Sequence, residues 1–412
     1  MIGLPPFDPQ LTDYRGCIDT IEQAVKQFNS AELEEMNRRE RQAGVPVLKW
    51  EQFRQTPHGR ALGVLPPFTV KPLDLSTPHV PFPEAYQPKN DNTKYTLPQS
   101  LTSIKVVELC RVIAGPTIGR SLAAHGATVM KVTSPMLPDV PFFQIDVNTG
   151  KHATSLHLKD NHDRAIFESL LADADVIIDG YRPGTWERLG YGSQYFIELA
   201  RKRNKGVVYV AEDCFGGSDV SGAEWADRPG WQQIADCVTG VAWAQGNFMG
   251  LDEPVVPPFP MSDYGTGILG CIAAMAGLYR RATAGGSWMC RTSLVQYDVF
   301  LLSLGLYSRD VQEQVRHMHD VDFFALRHSD SVDEVGKRAK KSMVRLFPHL
   351  FADDMMQRAW SKGFAAELQW PKEPIRIKGL RVGHVRAARP NGYDAPTWEG
   401  WEEEDDFLAG DD

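Results

Sequence analysis

From Lys105 onward, short β-branched runs alternate with stretches of helical texture, and no other feature of the chain limits its fold as strongly. The runs are Val106-Val107-Glu108-Leu109, Thr128-Val129-Met130-Lys131-Val132, Asp175-Val176-Ile177-Ile178-Asp179 and Gly206-Val207-Val208-Tyr209-Val210. Helical segments such as Asp163 to Ala172 separate them. The alternation predicts βαβ units and an α/β fold with a doubly wound, mostly parallel sheet in a Rossmann-like large domain. Such sheets bind ligands beyond the carboxyl ends of their strands, which points to Arg111, Thr133 and the turn from Asp179 to Arg182.

The flanks have a different texture. Residues 18 to 43 read as one broken helix or two, with the charge-rich stretch Ala31 to Gln42 expected to stop at Gly44 as the helix-terminating glycine. Prolines at 66, 67, 72, 78, 81, 83, 88 and 98 exclude a helix or a central strand, so residues 64–100 read as a linker or extended arm. Residues 264 to 282 are small and apolar and end in Arg280-Arg281, the profile of a buried helix with its cationic end at the C-terminus. Beyond about residue 310 come a charged helical segment, a return strand at Ile375-Arg376-Ile377 and an acidic tail, Glu402 to Asp406, expected to be solvated. The division this implies is a smaller helical and α+β portion over 1–63, the arm over 64–100, the large domain over 101–310 and the closing segment over 311–412.

Composition removes several function classes. With 42% hydrophobic and 24% charged residues, neither disorder nor a membrane class is favoured. Lys plus Arg number 44 against 53 Asp plus Glu, a net charge of −9, which argues against a nucleic-acid partner while permitting a local basic pocket. Cys17, Cys110, Cys214, Cys237, Cys271 and Cys290 show no C-x-x-C spacing and are expected to be reduced and buried. The opening residues lack a basic region followed by an apolar run, and no apolar stretch reaches roughly 18 residues, so a soluble, cytoplasmic protein without membrane contact is expected. There is no Walker loop, no G-x-S-x-G elbow, and Phe215 to Gly222 does not fit G-x-G-x-x-G before a helix. His125, His157 and His162 lack partners at metal spacing, so neither a metal nor a permanently bound cofactor is expected.

A series of phrases in fixed order carries more information. Val107-Glu108-Leu109-Cys110-Arg111-Val112-Ile113-Ala114-Gly115-Pro116 is followed by His125-Gly126-Ala127-Thr128-Val129-Met130-Lys131-Val132 and by Asn148-Thr149-Gly150-Lys151. Then come Ala174 to Gly190, with Tyr181-Arg182-Pro183-Gly184 at its centre, the turn Asp227-Arg228-Pro229-Gly230, and Pro260-Met261-Ser262-Asp263-Tyr264-Gly265-Thr266-Gly267. Together these resemble the class III CoA-transferase family, the group that contains formyl-CoA transferase, carnitine CoA-transferase and α-methylacyl-CoA racemase. The resemblance covers about residues 104 to 300. Ala31 to Val47 and Pro57 to Ala61 resemble the end of the family's small domain, as in the second half of a tandem fusion.

The resemblance implies an activity: CoA moves from an acyl-CoA to a small carboxylic acid through an aspartyl anhydride and an aspartyl-CoA thioester. It implies Asp263 as the nucleophile, Arg182, Lys151 and Arg188 with Ile113 and Ala114 around the CoA, and Trp231 and Gln232 in the substrate pocket. It also implies an interlocked homodimer. Asp263 taken by itself is more simply an N-cap, the commoner use of an aspartate before a helix. Two further readings stand beside the transferase. One is a weakly active or inactive half with a dimerisation or scaffold role, because residues 300 to 370 lack the family's glycine-rich loop. The other is an acyl-CoA racemase, disfavoured because Trp231 stands where that branch needs a proton-shuttling histidine.

Overall fold

The β-branched runs are the central strands of a seven-stranded sheet. In chain order the strands are β1 Thr69–Asp74, β2 Lys105–Leu109, β3 Thr128–Thr133, β4 His152–Ser155, β5 Val176–Asp179, β6 Val208–Asp213 and β7 Ser287–Ser293. The structure, a computed structural model, describes residues 2–82, 97–217 and 225–401. The order across the sheet is β1-β7-β6-β5-β2-β3-β4, parallel throughout except that β1 runs antiparallel to β7. The chain therefore winds outward from β2 in one direction and from β5 in the other, the doubly wound pattern.

The two-residue period of the strands sorts their side chains onto opposite faces. Val106 and Ile178 join Ile118, Leu122, Val208 and Leu278 on one face. Val107 and Ile177 join Met130, Phe167, Trp186 and Phe196 on the other. Burial of each such side chain contributes roughly 1.5–3 kcal/mol, so both faces need cover. That cover comes from the helices α1 Ala114–Ala124, α2 Pro141–Val147, α3 Asn161–Asp173, α4 Thr185–Leu189, α5 Ser193–Lys202 and α6 Met261–Ala284.

The chain divides into two compact units, and the division differs from the one expected from sequence. The sheet unit comprises Leu65–Gly217, Met261–Tyr297 and Phe347–Asp412, and the second comprises Met1–Val64, Ser218–Pro260 and Asp298–Leu346. Part of the proline-rich arm is thus a strand of the sheet. Pro72 is tolerated there because β1 lies at the edge, with a register shift between Pro72 and Asp74. The strand in the closing segment is a hairpin, β8 Met356–Ser361 with β9 Ala366–Pro371, whereas Ile377 makes only an isolated bridge to Leu380. The acidic tail Glu402 to Asp406 and most of Phe215 to Gly222 lie outside the described residues.

In the second unit the sequence 18 to 43 forms two helices, Tyr14–Val25 and Ser30–Arg39. The latter ends before Gly44. Arg41 takes the left-handed position with φ 54°, and the N–H groups of Gln42 and Arg41 return to the carbonyls of Asn37 and Arg38 at 2.8 and 3.3 Å. This is a Schellman closure built on an arginine, so the glycine three residues later is not the stop signal. Helices Gln232–Thr239 and Val241–Phe248 belong to the same unit.

α6 is longer than the sequence suggests and is buried along one side only. Small residues line the packed side, where a Cβ at Gly267 would lie 2.4 Å from Thr117 Cβ and 2.7 Å from the Ala114 carbonyl. Ile268, Ile272 and Tyr279 on the remaining surface are 51%, 46% and 61% exposed. The cysteines also divide: four are buried, and Cys17 and Cys237 are half-buried; all six are free thiols.

Candidate active site

The carboxyl edge of the sheet is assembled from loops that leave adjacent strands in opposite directions. β2 and β5 pair in parallel; the chain goes from β2 into α1 and β3, and from β5 through α4 and α5 to β6. This reversal of winding is the topological position at which open α/β sheets form a ligand crevice. On the β2 side the loop runs Cys110-Arg111-Val112-Ile113 into α1. Val112 has φ 68°, a left-handed conformation that a β-branched residue adopts only under constraint, and such strain concentrates where a loop serves a ligand. Arg111 is anchored by donating to the Pro138 carbonyl.

On the β5 side Asp179 ends the strand, and Gly180, Tyr181 and Arg182 follow. Arg182 is exposed, and Arg188 on α4 is exposed with a hydrogen bond to Thr185 Oγ1 at 2.9 Å. Asp179 accepts from Tyr209 Oη at 2.6 Å and from the Tyr181 N–H at 2.9 Å. Burial outweighs these bonds and raises its pKa to about 7.

Asp263 enters from α6. Arg281 near the far end of that helix pairs with Asp175 at the start of β5, so the first turn of α6 lies at the carboxyl edge. Asp263 is the third residue of the helix, within the first turn, and is 8% exposed. It is therefore not an N-cap. Its place in the first turn is where the helix dipole favours negative charge. Two neighbours set that turn. A Cβ at Gly265 would lie 2.1 Å from the Tyr297 ring, so only glycine lets the ring lie there. Tyr264 donates its hydroxyl to Asp146 Oδ2 at 2.6 Å.

The structure brings Asp263, Arg182, Arg188, Ile113 and Ala114 to the same edge of the sheet unit. Lys151 does not join them. It is fully buried, with Nζ 2.6 Å from Glu108 Oε2 and 2.7 Å from the Pro116 carbonyl. The phosphate contact expected of it is corrected by this geometry: the ammonium is committed to the core, and burial lowers its pKa to about 8. Its neighbour Lys131 is equally buried and donates to Asn148 Oδ1 at 2.9 Å. An N-x-G-K phrase does not reveal whether its lysine points inward or outward.

Trp231 and Gln232 belong to the second unit. Trp231 precedes the helix Gln232–Thr239 and is 54% exposed, whereas Gln232 is buried and donates Nε2–H to the Phe259 carbonyl at 2.9 Å. The D-R-P-G turn before them is held by Arg228, which reaches Glu34 Oε1 at 3.0 Å and the Gly44 carbonyl at 3.1 Å.

Sequence reasoning missed Glu212 and Asp213, which close β6 at the same edge. Glu212 is 8% exposed, and burial, followed by the charges of Asp213, Asp263 and Asp179, pushes its pKa well above the carboxylate range. The available signal was two acids directly after an apolar run.

The model of CoA-transferase family III matches residues 101–328. The chain belongs to CoA-transferase family III. Among curated relatives of this family member, the acetyl-coenzyme A transferase nodX of Hypoxylon pulicicidum is 34% identical over 96% of this chain and 66% of its own length. An acyl-CoA transferase of Gibberella moniliformis is 34% identical over 76% of this chain and 54% of its own. The chain thus spans less than two thirds of the length of either relative. The fold is shared with the crystal structure of Rv3272 from Mycobacterium tuberculosis in its orthorhombic form, with TM-score 0.51 and 20% identity over 72% of this chain and 98% of that one. No helix among the described residues is long and apolar enough to cross a membrane.

Proposed function

We propose that this family III member transfers CoA from an acyl-CoA to a small carboxylic acid, with Asp263 as the nucleophile. The observation that carries the reading is the placement of a buried carboxyl group in the first turn of α6, at the carboxyl edge of the sheet. One Asp263 oxygen attacks the thioester carbon; the C–S bond breaks, CoA leaves as thiolate and a mixed anhydride remains. The thiolate then attacks the aspartyl carbonyl, releasing the first acid and leaving an aspartyl-CoA thioester. The acceptor carboxylate repeats the sequence in reverse and departs as its CoA ester. The N–H groups at the start of α6 stabilise the oxyanion that forms at each attack.

Arg182 and Arg188, exposed beside the crevice, supply the charge that the nucleotide phosphates of CoA need, with Ile113 and Ala114 contributing backbone around the ligand. The working form is a cytoplasmic homodimer. The transferase activities that nodX and the Gibberella protein carry in their names support this reaction class.

The deciding experiment mixes the protein with acetyl-CoA and other acyl-CoAs and maps covalent adducts by mass spectrometry. A CoA or acyl adduct on the Asp263 peptide is expected, together with a loss of roughly a thousandfold or more in exchange for folded Asp263→Asn. An adduct on another residue, or near-normal exchange by that variant, removes Asp263 from the reaction.

A further inference from the structure

We propose that Glu212 is a ligand-contacting residue that hydrogen-bonds an amide of the pantetheine arm of CoA within the crevice between β2 and β5. The inference rests on the reading of this edge as a CoA site. Glu212 leaves the tip of β6 and reaches under both crevice loops. A Cβ at Gly115 would lie 3.3 Å from Glu212 Oε2, and one at Gly180 would lie 3.4 Å from it, so the carboxyl sits where the Ile113–Gly115 and Gly180–Arg182 segments converge. The same two glycines enclose the Cys110 sulfur, at 2.7 and 2.8 Å from their Cβ positions. Larger residues at either position would close this floor.

Glu212 is more than nine-tenths buried, and among the described residues nothing hydrogen-bonds or ion-pairs with its carboxyl. Its oxygens are not among the fully sealed unpartnered polar atoms of the described residues, so a hydrogen-bonding group of a ligand can reach them. The surroundings select the ligand. Asp179 and Asp213 flank it, and the nearby Arg291 is already set against Asp213 Oδ2 at 3.4 Å. Three acids and one committed cation repel a phosphate, so the nucleotide end of CoA lies outside, toward Arg182 and Arg188. What fits is a neutral chain bearing both N–H and C=O groups. An amide meets that requirement in either protonation state of Glu212, by donating to the carboxylate or accepting from the acid. Asp263 bears on the charge of Glu212, which places the contact near the sulfur end of the arm.

The test uses titration calorimetry with CoA, pantetheine and adenosine 3′,5′-bisphosphate on the full chain. Glu212→Leu removes a carboxyl that has no partner within the described structure, so it leaves no group newly unsatisfied, and Glu212→Ala is the substitute if leucine is too bulky. Either variant should weaken pantetheine and CoA alike by roughly five- to tenfold and leave adenosine 3′,5′-bisphosphate unchanged. Glu212→Gln, which keeps a donor and an acceptor, should stay within about twofold of the wild type. Unchanged pantetheine binding in the apolar variants, or equal weakening of the bisphosphate, overturns the assignment of Glu212 alone. Failure of the wild type to bind either CoA or pantetheine overturns the reading of the edge as a CoA site and this inference with it.

Discussion

Asp175 and Asp179 bracket the same strand, and their environments are opposite. Asp175, just before β5, has Arg281 and Lys205 each at 2.7 Å from Oδ1 and the Lys105 N–H at 3.1 Å from Oδ2. Burial alone would raise its pKa, yet the two cations and the backbone bond outweigh burial and hold the carboxyl below its ordinary range. Asp179, at the other end, receives only neutral donors, and burial prevails. Glu212 beside it has no partner among the described residues. Asp175 at the amino edge is thus electrostatically complete, while at the carboxyl edge Asp179 and Glu212 meet no cation among the described residues. Stability is concentrated at one end of the strands and unsatisfied chemistry at the other, as expected where open α/β sheets bind ligands.

This contrast is exposed to test most severely at its stable end. Arg281→Met leaves Asp175 buried with one of its two cations gone, and should lower the unfolding free energy by about 3 kcal/mol in urea titrations while the affinity for CoA stays unchanged. A loss of CoA affinity without a loss of stability would dissolve the distinction between the two edges. At the ligand edge, Arg182→Ala should weaken CoA by about 2 kcal/mol, roughly thirtyfold, and leave pantetheine untouched. Arg280→Ala, exposed near the opposite end of α6, serves as the control without effect. Equal weakening of CoA and pantetheine would show that Arg182 does not read a phosphate.

The smallest effect sharpens the contrast through pH. Asp179 ordinarily titrates near 3.8 and in the fold near 7. Between those values the unfolded chain has lost the proton and the folded chain keeps it, so ionisation pulls toward the unfolded state. The stabilisation that protonated Asp179 carries is complete below about pH 4 and is gone once pH has risen through about 7. Asp179→Asn lacks this dependence and still accepts from Tyr209. Its stability relative to the wild type should therefore rise by about 1 kcal/mol between pH 4 and pH 5, read from urea midpoints at both values. A relative stability that stays level across that range would mean that Asp179 is ionised in the fold like Asp175.

The local pattern was enough for the sheet, its parallel winding and the family, because β-branched runs separated by amphipathic helices have few other ways to bury both faces. It was also enough to place Arg182 beyond β5 and Asp263 at the head of α6, since strand ends and helix starts are short-range features. Three things were decided only in three dimensions. Lys151 and Arg182 are both basic residues in family phrases, but Lys151 meets Glu108 across the core and Arg182 meets solvent, and sequence spacing carries no information about which pole a side chain faces. Gly44 looked like a helix stop, but the helix closed on Arg41 because the Schellman bonds could form three residues earlier. Glu212 looked like the polar end of a strand, and it became a buried acid because Gly115 and Gly180, distant in sequence, converge over it. Burial and electrostatic neighbours are sums over contacts from remote segments, so the sequence by itself determined the elements and their order, and the tertiary structure decided which charged groups were paired and which were left for a ligand.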